Sequence, residues 1–294
     1  MKTWRYWCNL SAFGLVIFAI LLLIGILYLA RNTALGYVHP QRLVYEEDVL
    51  AAEGVDYQAV ELLTEDGLTL QAWYTPSENG AVILIAHPHG CAHPPDIHAL
   101  FVRHGYGVLS WDARAHGESE GDFSSLGYYE ARDVGVALDY ARSQPGVAHV
   151  GAWGASMGGA TVIMAAAQFP QIEAVVADSA FAALEDELTV VVRLAWFRPL
   201  IRFFAEWETG VSVDQVRPEA VIDQISPRPV LIIQGLADTV VPPNSGERLY
   251  AAAGEPCTLW DAAHVGHVGM IDAYPQEYEQ RVIGFFDQAF GLAD

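Results

Sequence analysis

Lysine is almost missing from this chain: Lys2 is the only one, and 15 basic residues face 36 acidic ones, for a formal net charge of −21. That balance excludes a nucleic-acid partner, because phosphate contacts need a basic face. The acidity reads instead as a soluble, self-repelling surface. Cysteine is scarce as well. Cys8, Cys91 and Cys257 form no paired framework, so the fold does not rest on disulfides and the compartment cannot be read from them. With 52% hydrophobic residues, the 294-residue chain carries ample core for one large α/β domain or two small ones, and disorder is excluded.

Charge is absent altogether from residues 10–30, LSAFGLVIFAILLLIGILYLA. The run matches the roughly 20 apolar residues that cross a bilayer core. Trp4, Tyr6 and Trp7 on one side and Tyr28 on the other suit the membrane interfaces. A cleaved signal peptide has a shorter apolar region, about 7–15 residues, and a small-x-small cleavage site. Here the run is longer and no clean site follows, so the segment reads as an uncleaved single-pass anchor. Lys2, Arg5 and the α-amino group precede it and Arg31 and Arg42 follow. The positive-inside count therefore leans toward an inside N-terminus and an extracytoplasmic C-terminal domain. Cys8 reads as an apolar interfacial residue rather than an acylation site. Residues 1–9 are then a short flank, and residues 31–55, with His39-Pro40 and Glu46-Glu47-Asp48, a linker lifting the domain off the membrane.

From residue 56 to 294 the pattern is that of one domain. Two alternating runs flank Asp66-Gly67, a hairpin signal. Short apolar runs follow at residues 81–86, 107–111, 147–153, 174–177, 230–233 and 258–260, with helical stretches between them. Such strands imply a mostly parallel sheet covered on both faces, with its ligands at the carboxyl ends of the strands. Each of those ends is polar or glycine-rich: His87-Pro88-His89-Gly90, Asp112 to Ser119, Gln234 to Asp238, and the loop holding His264 and His267.

Residues 150–163 read as a strand, a sharp turn and a buried helix, and Gly154-Ala155-Ser156-Met157-Gly158 fits G-x-S-x-G. Ser156, Asp238 and His267 follow in the order nucleophile, acid, base. Together with Asp112-x-Arg-x-His-Gly-x-Ser119, the Pro229 to Pro242 stretch and Gly266-His-Val-Gly269, these residues resemble the α/β-hydrolase superfamily. More narrowly, the chain resembles its small serine hydrolases of the dienelactone hydrolase, serine aminopeptidase and BEM46-like group, over residues 56–294. The resemblance implies an α/β-hydrolase fold, no cofactor and a covalent acyl-enzyme route. It departs from the pattern at Pro88, which has no amide to offer an oxyanion.

On this reading Ser156 attacks a carbonyl, His267 is the base and Asp238 holds the imidazole in its working tautomer. His264 competes with His267; Gly266 and Gly269 on either side of His267 favour the latter by allowing a turn into the site. The oxyanion donors are the amides of Met157 and of His89, with Cys91 as the alternative to His89. His87, His89, His93, His98 and Cys91 form a dense tract of metal-ligating types, but no aspartate-histidine pair accompanies them and Asp96 is badly placed, so no metal is expected.

Residues 178–227 exceed a simple crossover and read as a cap. In it Arg193, Arg198 and Arg202 interleave with Trp196, Phe197, Phe203, Phe204 and Trp207, either as a lid packing aromatics over the site or as a surface resting on lipid. The expected reaction is cleavage of a carboxylic ester or related acyl bond in a small-molecule or lipid-like acyl substrate. Peptidase and thioesterase activity on the same residues are alternatives, with Glu185, Asp186 and Glu187 as the carboxylates a peptidase would use. A non-catalytic binding protein on a hydrolase scaffold is the alternative from outside the enzymes.

Overall fold

In a computed structural model, residues 2–45 and 49–292 are described, with side chains from residue 13 onward. The interfacial placement expected for Trp4, Tyr6 and Trp7, the setting of Cys8, and Glu46-Glu47-Asp48 lie outside the described residues. Each of the six short apolar runs between residues 81 and 260 lies on a strand. The eight strands are β1 (Gln58–Leu63), β2 (Thr69–Thr75), β3 (Ala81–Ala86), β4 (Gly107–Trp111), β5 (His149–Ala155), β6 (Ala174–Asp178), β7 (Val230–Gly235) and β8 (Cys257–Ala262). They make one sheet in the order β1-β2-β4-β3-β5-β6-β7-β8. Strand β2 pairs antiparallel with β1 and with β4, and the other five pairings are parallel.

The alternation of side chains along a strand divides the core. On β3, Val82, Leu84 and Ala86 face a layer that includes α4 (Tyr128–Ser143), α5 (Met157–Gln168) and α8 (Ser245–Ala252). Ile83 and Ile85 face the opposite layer, built from α3 (Pro95–Val102), α9 (Met270–Ala273) and α10 (Pro275–Phe290). All residues of β3, β4, β6 and β7 are buried, whereas the edge strands β1 and β8 expose much of their length. The fold is that of an α/β-hydrolase, and it sets the loops after β3, β5, β6, β7 and β8 along one edge.

Two segments depart from this frame. The first is α1 (Lys2–Val38), a helix of 37 residues, about 55 Å long at 1.5 Å per residue. Phe13, Leu15, Phe18, Leu21, Leu22, Leu23 and Leu29 on it are exposed, and residues 13–38 are long and apolar enough to cross a membrane. The helix does not stop at residue 30. It continues through Val38 into the stretch expected to be linker, because Ala30, Ala34 and Val38, four residues apart on one face, are fully buried there. The short helix α2 (Val49–Ala52) follows.

The second segment lies between β6 and β7. It holds α6 (Leu184–Val191), a 3-10 turn at Ala195–Phe197, α7 (Arg198–Thr209) and three further 3-10 turns up to Ile225. Ala30 and Ala34 pack with Val192, Phe197 and Ile201 of this segment, flanked by Ile26, Leu188, Leu200, Phe204 and Ala205. Small residues at i and i+4, here Ala30 and Ala34, let two helices approach closely, as in packing inside membranes. Beyond the helix, His39 Nε2 meets Glu208 Oε1 at 3.0 Å, and Arg42 donates to the carbonyls of Gly117 at 3.2 Å, of Gly121 at 2.8 Å and of Ser119.

Candidate active site

Strand β5 runs into α5 through Ser156, whose φ of 54° and ψ of −119° lie where few non-glycine residues sit. The neighbouring glycines make that conformation possible. A Cβ at Gly154 would lie 2.3 Å from the Gly158 carbonyl oxygen, and one at Gly158 would lie 2.0 Å from the Ala86 carbonyl oxygen. The Ser156 N–H donates to Asp178 O at 2.8 Å, pinning the turn to the end of β6. The turn therefore fits only because strand, turn and helix backbones touch without side chains between them.

Ser156 Oγ lies 2.9 Å from His267 Nε2, and His267 Nδ1 lies 2.7 Å from Asp238 Oδ2. The three residues named from the sequence are thus joined in one hydrogen-bonded chain across 111 residues of sequence separation. The Asp238 side chain is fully buried. Its Oδ1 accepts the N–H groups of Val240 and Val241 at 2.8 and 2.9 Å, and Gln234 Nε2 approaches Oδ2 at 3.4 Å. With Oδ1 occupied, Oδ2 faces the imidazole. His264 is exposed, and no hydrogen bond joins it to the described residues.

The backbone that carries His267 bends differently from the expectation. The left-handed residue of the loop is Val268, at φ 52°, and not Gly266 or Gly269. Close approach rather than positive φ explains a glycine here, but it is Gly235: a Cβ on it would lie 2.4 Å from Val265 O and 2.5 Å from Gly266 O. The strain at Val268 is held by its N–H, which donates to Ser179 Oγ at 3.0 Å. Ser179 Oγ donates in turn to Asp178 Oδ1 at 2.9 Å, and Asp178 Oδ2 accepts Tyr278 O–H at 2.9 Å. Tyr278 accepts Trp153 Nε1–H at 3.0 Å. Burial raises the Asp178 carboxyl to about 6 despite these donors. The sequence reading missed all four of these residues. Asp178 at a strand's carboxyl end was a usable signal, but Tyr278, a hundred residues further on, carries none.

Helix α5 begins at Met157, so the Met157 N–H has no acceptor within the helix and points along its positive end. In the loop after β3, the His89 N–H donates to no acceptor among the described residues, whereas the Cys91 N–H is spent on Pro88 O at 3.2 Å. The histidine tract around His89 is dispersed over separate roles. His98 bonds Thr75 and Ser110, each at 2.9 Å; His93 packs on the Trp73 ring; His87 Nε2 accepts the Ala113 N–H at 2.8 Å. Burial lowers His93 and His98 to about 3 and His89 to about 4, so these rings are neutral at physiological pH.

The Asp112 to Ser119 stretch is scaffolding for this edge. Asp112 accepts the N–H of His93 at 3.1 Å and of Glu118 at 2.9 Å, and Arg114 forks onto Asp133 at 2.7 Å from both Nε and Nη2. Of the cap carboxylates, Glu185 meets Arg202 at 3.6 Å and Asp186 meets Arg248 at 2.5 Å. Glu187 instead lines a narrow apolar cleft of about 50 Å³ between α1, α6 and α7. Burial, with a smaller contribution from the Asp238 charge, raises its carboxyl to about 8.

Comparison with known proteins adds the following. The model of the X-Pro dipeptidyl-peptidase (S15) family matches residues 42–203, a span that includes Ser156 but neither Asp238 nor His267. The protein YfhR of Escherichia coli O157:H7, itself uncharacterized, is 27% identical over 286 residues, covering 92% of this chain and 93% of its own. The uncharacterized protein Rv2307c of Mycobacterium tuberculosis is 30% identical over 214 residues, covering 69% of this chain and 70% of its own. Among solved structures, the esterase Pf2001 of Pyrococcus furiosus superposes with a TM-score of 0.72 at 24% identity, covering 85% of this chain and 98% of that one.

Proposed function

The chain belongs to the X-Pro dipeptidyl-peptidase (S15) family and is a serine hydrolase of the α/β-hydrolase fold; from that premise we propose that it cleaves a carboxylic ester or related acyl bond through an acyl-enzyme on Ser156. The single observation that carries this reading is the Ser156–His267–Asp238 chain, with contacts of 2.9 and 2.7 Å. Ser156 Oγ attacks the carbonyl carbon as its proton passes to His267 Nε2. Buried Asp238 keeps the other ring nitrogen protonated and balances the imidazolium. The tetrahedral oxyanion is received by the Met157 and His89 N–H groups, and His267 returns its proton to the leaving alcohol. Water then repeats the sequence on the acyl-enzyme. No step calls for a cofactor.

The same reading makes residues 10–30 an uncleaved bilayer anchor, with the N-terminus inside and the catalytic domain outside the cytoplasm. The packing of Ile26 and Ala30 on Val192, Phe197 and Ile201 supports it, since cleavage after the apolar run would take both residues away from the cap. Carbonate extraction of membranes should leave the full-length chain in the pellet, and protease added to intact cells or spheroplasts should reach the hydrolase domain.

The deciding experiment is labelling of the full-length protein, in mild detergent, with a fluorophosphonate probe. Wild type should label, while Ser156→Ala and His267→Ala should not. A folded wild type that stays unlabelled would return the protein to the non-catalytic scaffold class.

A further inference from the structure

The cleft between α1, α6 and α7 adjoins a recess that reaches toward the nucleophile turn. Ser124, Ser125 and Leu126 line the recess next to it, and the Ser124 hydroxyl touches Met157 Sδ at 3.6 Å, at the residue after the nucleophile. The cleft itself shares Leu126, Leu184, Ala205 and Val213 with that recess and extends to Ala34 and Tyr37 of the anchor helix.

Its lining is almost wholly apolar: Ala34, Leu126, Leu188, Val191 and Ile201 are typical. Three lining residues carry ionisable groups, from three different elements: the Tyr37 phenol of α1, Glu187 of α6 and Arg202 of α7. The Arg202 guanidinium of α7 is spent on Asp214 at 2.6 Å, Glu206 at 2.9 Å and Glu185 at 3.6 Å. Glu187 of α6 has no hydrogen-bond partner among the described residues and is uncharged at neutral pH. The wall therefore presents no free charge to a bound group. Its mouth is at Val191, 46% exposed, beside Leu194 and Trp196, which are also exposed. The adjoining Leu188 and Val192 touch α1 at Ile26 to Ala34, where the exposed apolar run of α1 ends.

We propose that this cleft holds the acyl chain of the substrate, that the substrate is an ester or thioester of a medium-chain or longer linear fatty acid, and that the anchor helix forms one wall of the acyl site. The proposal rests on the serine-hydrolase reading above. A linear chain entering at Val191 from the level of the bilayer surface runs between α1 and the cap toward Met157. Its carbonyl then reaches Ser156. Each methylene that leaves water in such a channel favours binding roughly fourfold, so preference should climb with chain length.

The test is kcat/KM of the full-length protein in detergent for acetyl, butyryl, octanoyl and decanoyl p-nitrophenyl esters, with active sites counted by fluorophosphonate labelling. Wild type should favour decanoyl over acetyl by at least a hundredfold. Val191→Trp, placed at the exposed mouth where it does not disturb the core, should cut the decanoyl-to-acetyl ratio by tenfold or more. A labelled, active enzyme with no chain-length preference, or with one that Val191→Trp leaves unchanged, overturns the proposal while leaving the serine-hydrolase reading intact. Absence of labelling overturns that reading instead. Preference for substrates with a free amino terminus, lost in Glu187→Gln, would assign the cleft to a peptide and also overturn it.

Discussion

Replacing Asp238 with Asn changes one atom and is expected to reverse a proton. In the wild type, Oδ1 accepts two backbone N–H groups, from Val240 and Val241 at 2.8 and 2.9 Å, and Oδ2 faces His267 Nδ1 at 2.7 Å. An asparagine must keep its oxygen on the two N–H groups. The opposite orientation would set an NH2 against two buried donors and leave them unsatisfied, at about 1–3 kcal/mol each. Its Nδ2 then points at His267, whose Nδ1 becomes an acceptor and whose proton moves to Nε2. That nitrogen can no longer take the Ser156 proton across 2.9 Å. The wrong tautomer costs about 10⁴ in kcat in a Ser-His-Asp enzyme, equal to about 5.4 kcal/mol of barrier. The hydrogen bond itself survives, so the thermal midpoint should move little. The assay is kcat/KM for a chromogenic ester at neutral pH, beside a melting curve. A loss of less than about tenfold in a folded variant would refute the assignment of Asp238.

Three further outcomes follow from packing and charge. Gly158→Ala sets a Cβ 2.0 Å from the Ala86 carbonyl oxygen; the destabilisation should reach or pass the roughly 3 kcal/mol upper end of ordinary overpacking, seen as a lowered melting midpoint or loss of soluble expression. Tyr278→Phe strands Trp153 Nε1–H and Asp178 Oδ2 in the core, at about 1–3 kcal/mol for each group; because Ser179 still holds Val268, the melt should fall well before activity does. Glu187, with an ordinary pKa of 4.5 and about 8 in the fold, favours the protonated form when folded. Its contribution to stability is therefore full below about 4.5 and is lost as the pH rises through about 8. Comparing thermal midpoints at several pH values through that window should show Glu187→Gln losing less stability than wild type as pH rises, and parallel curves would contradict the burial of that carboxyl.

What the sequence made legible is what a few adjacent residues can state. Apolar runs such as Ala81–Ala86 fix the strands, because a strand buried on both faces needs no polar positions. The Gly154 to Gly158 turn is legible because backbone contact demands glycine at those spacings. Ser156, Asp238 and His267 could be picked because each follows a strand, but their mutual distances are properties of the folded sheet. Contacts across long separations left no local trace. Nothing around Trp153 announces Tyr278, and nothing in the apolar run announces that α1 continues past residue 30 to pack on the cap. The alanines that allow the close approach are also ordinary helix formers. Val268 misled for the opposite reason: the neighbouring glycines offered an easy turn, while the hydrogen bond that Val268 N–H donates to Ser179 Oγ holds the strained one.

The unbroken passage of α1 from its apolar run onto the cap, with Arg42 fastened to four carbonyls just beyond it, bears on how the enzyme meets its surroundings. A domain on a loose leash tumbles and samples every orientation toward the lipid surface. A domain mounted on a stiff post keeps one. With the apolar run in a bilayer, as proposed, search for substrate would be confined to two dimensions and one facing side, and the tilt of the post would vary with bilayer thickness. Cutting the post away would also uncover Val192, Phe197 and Ile201, which pack on it.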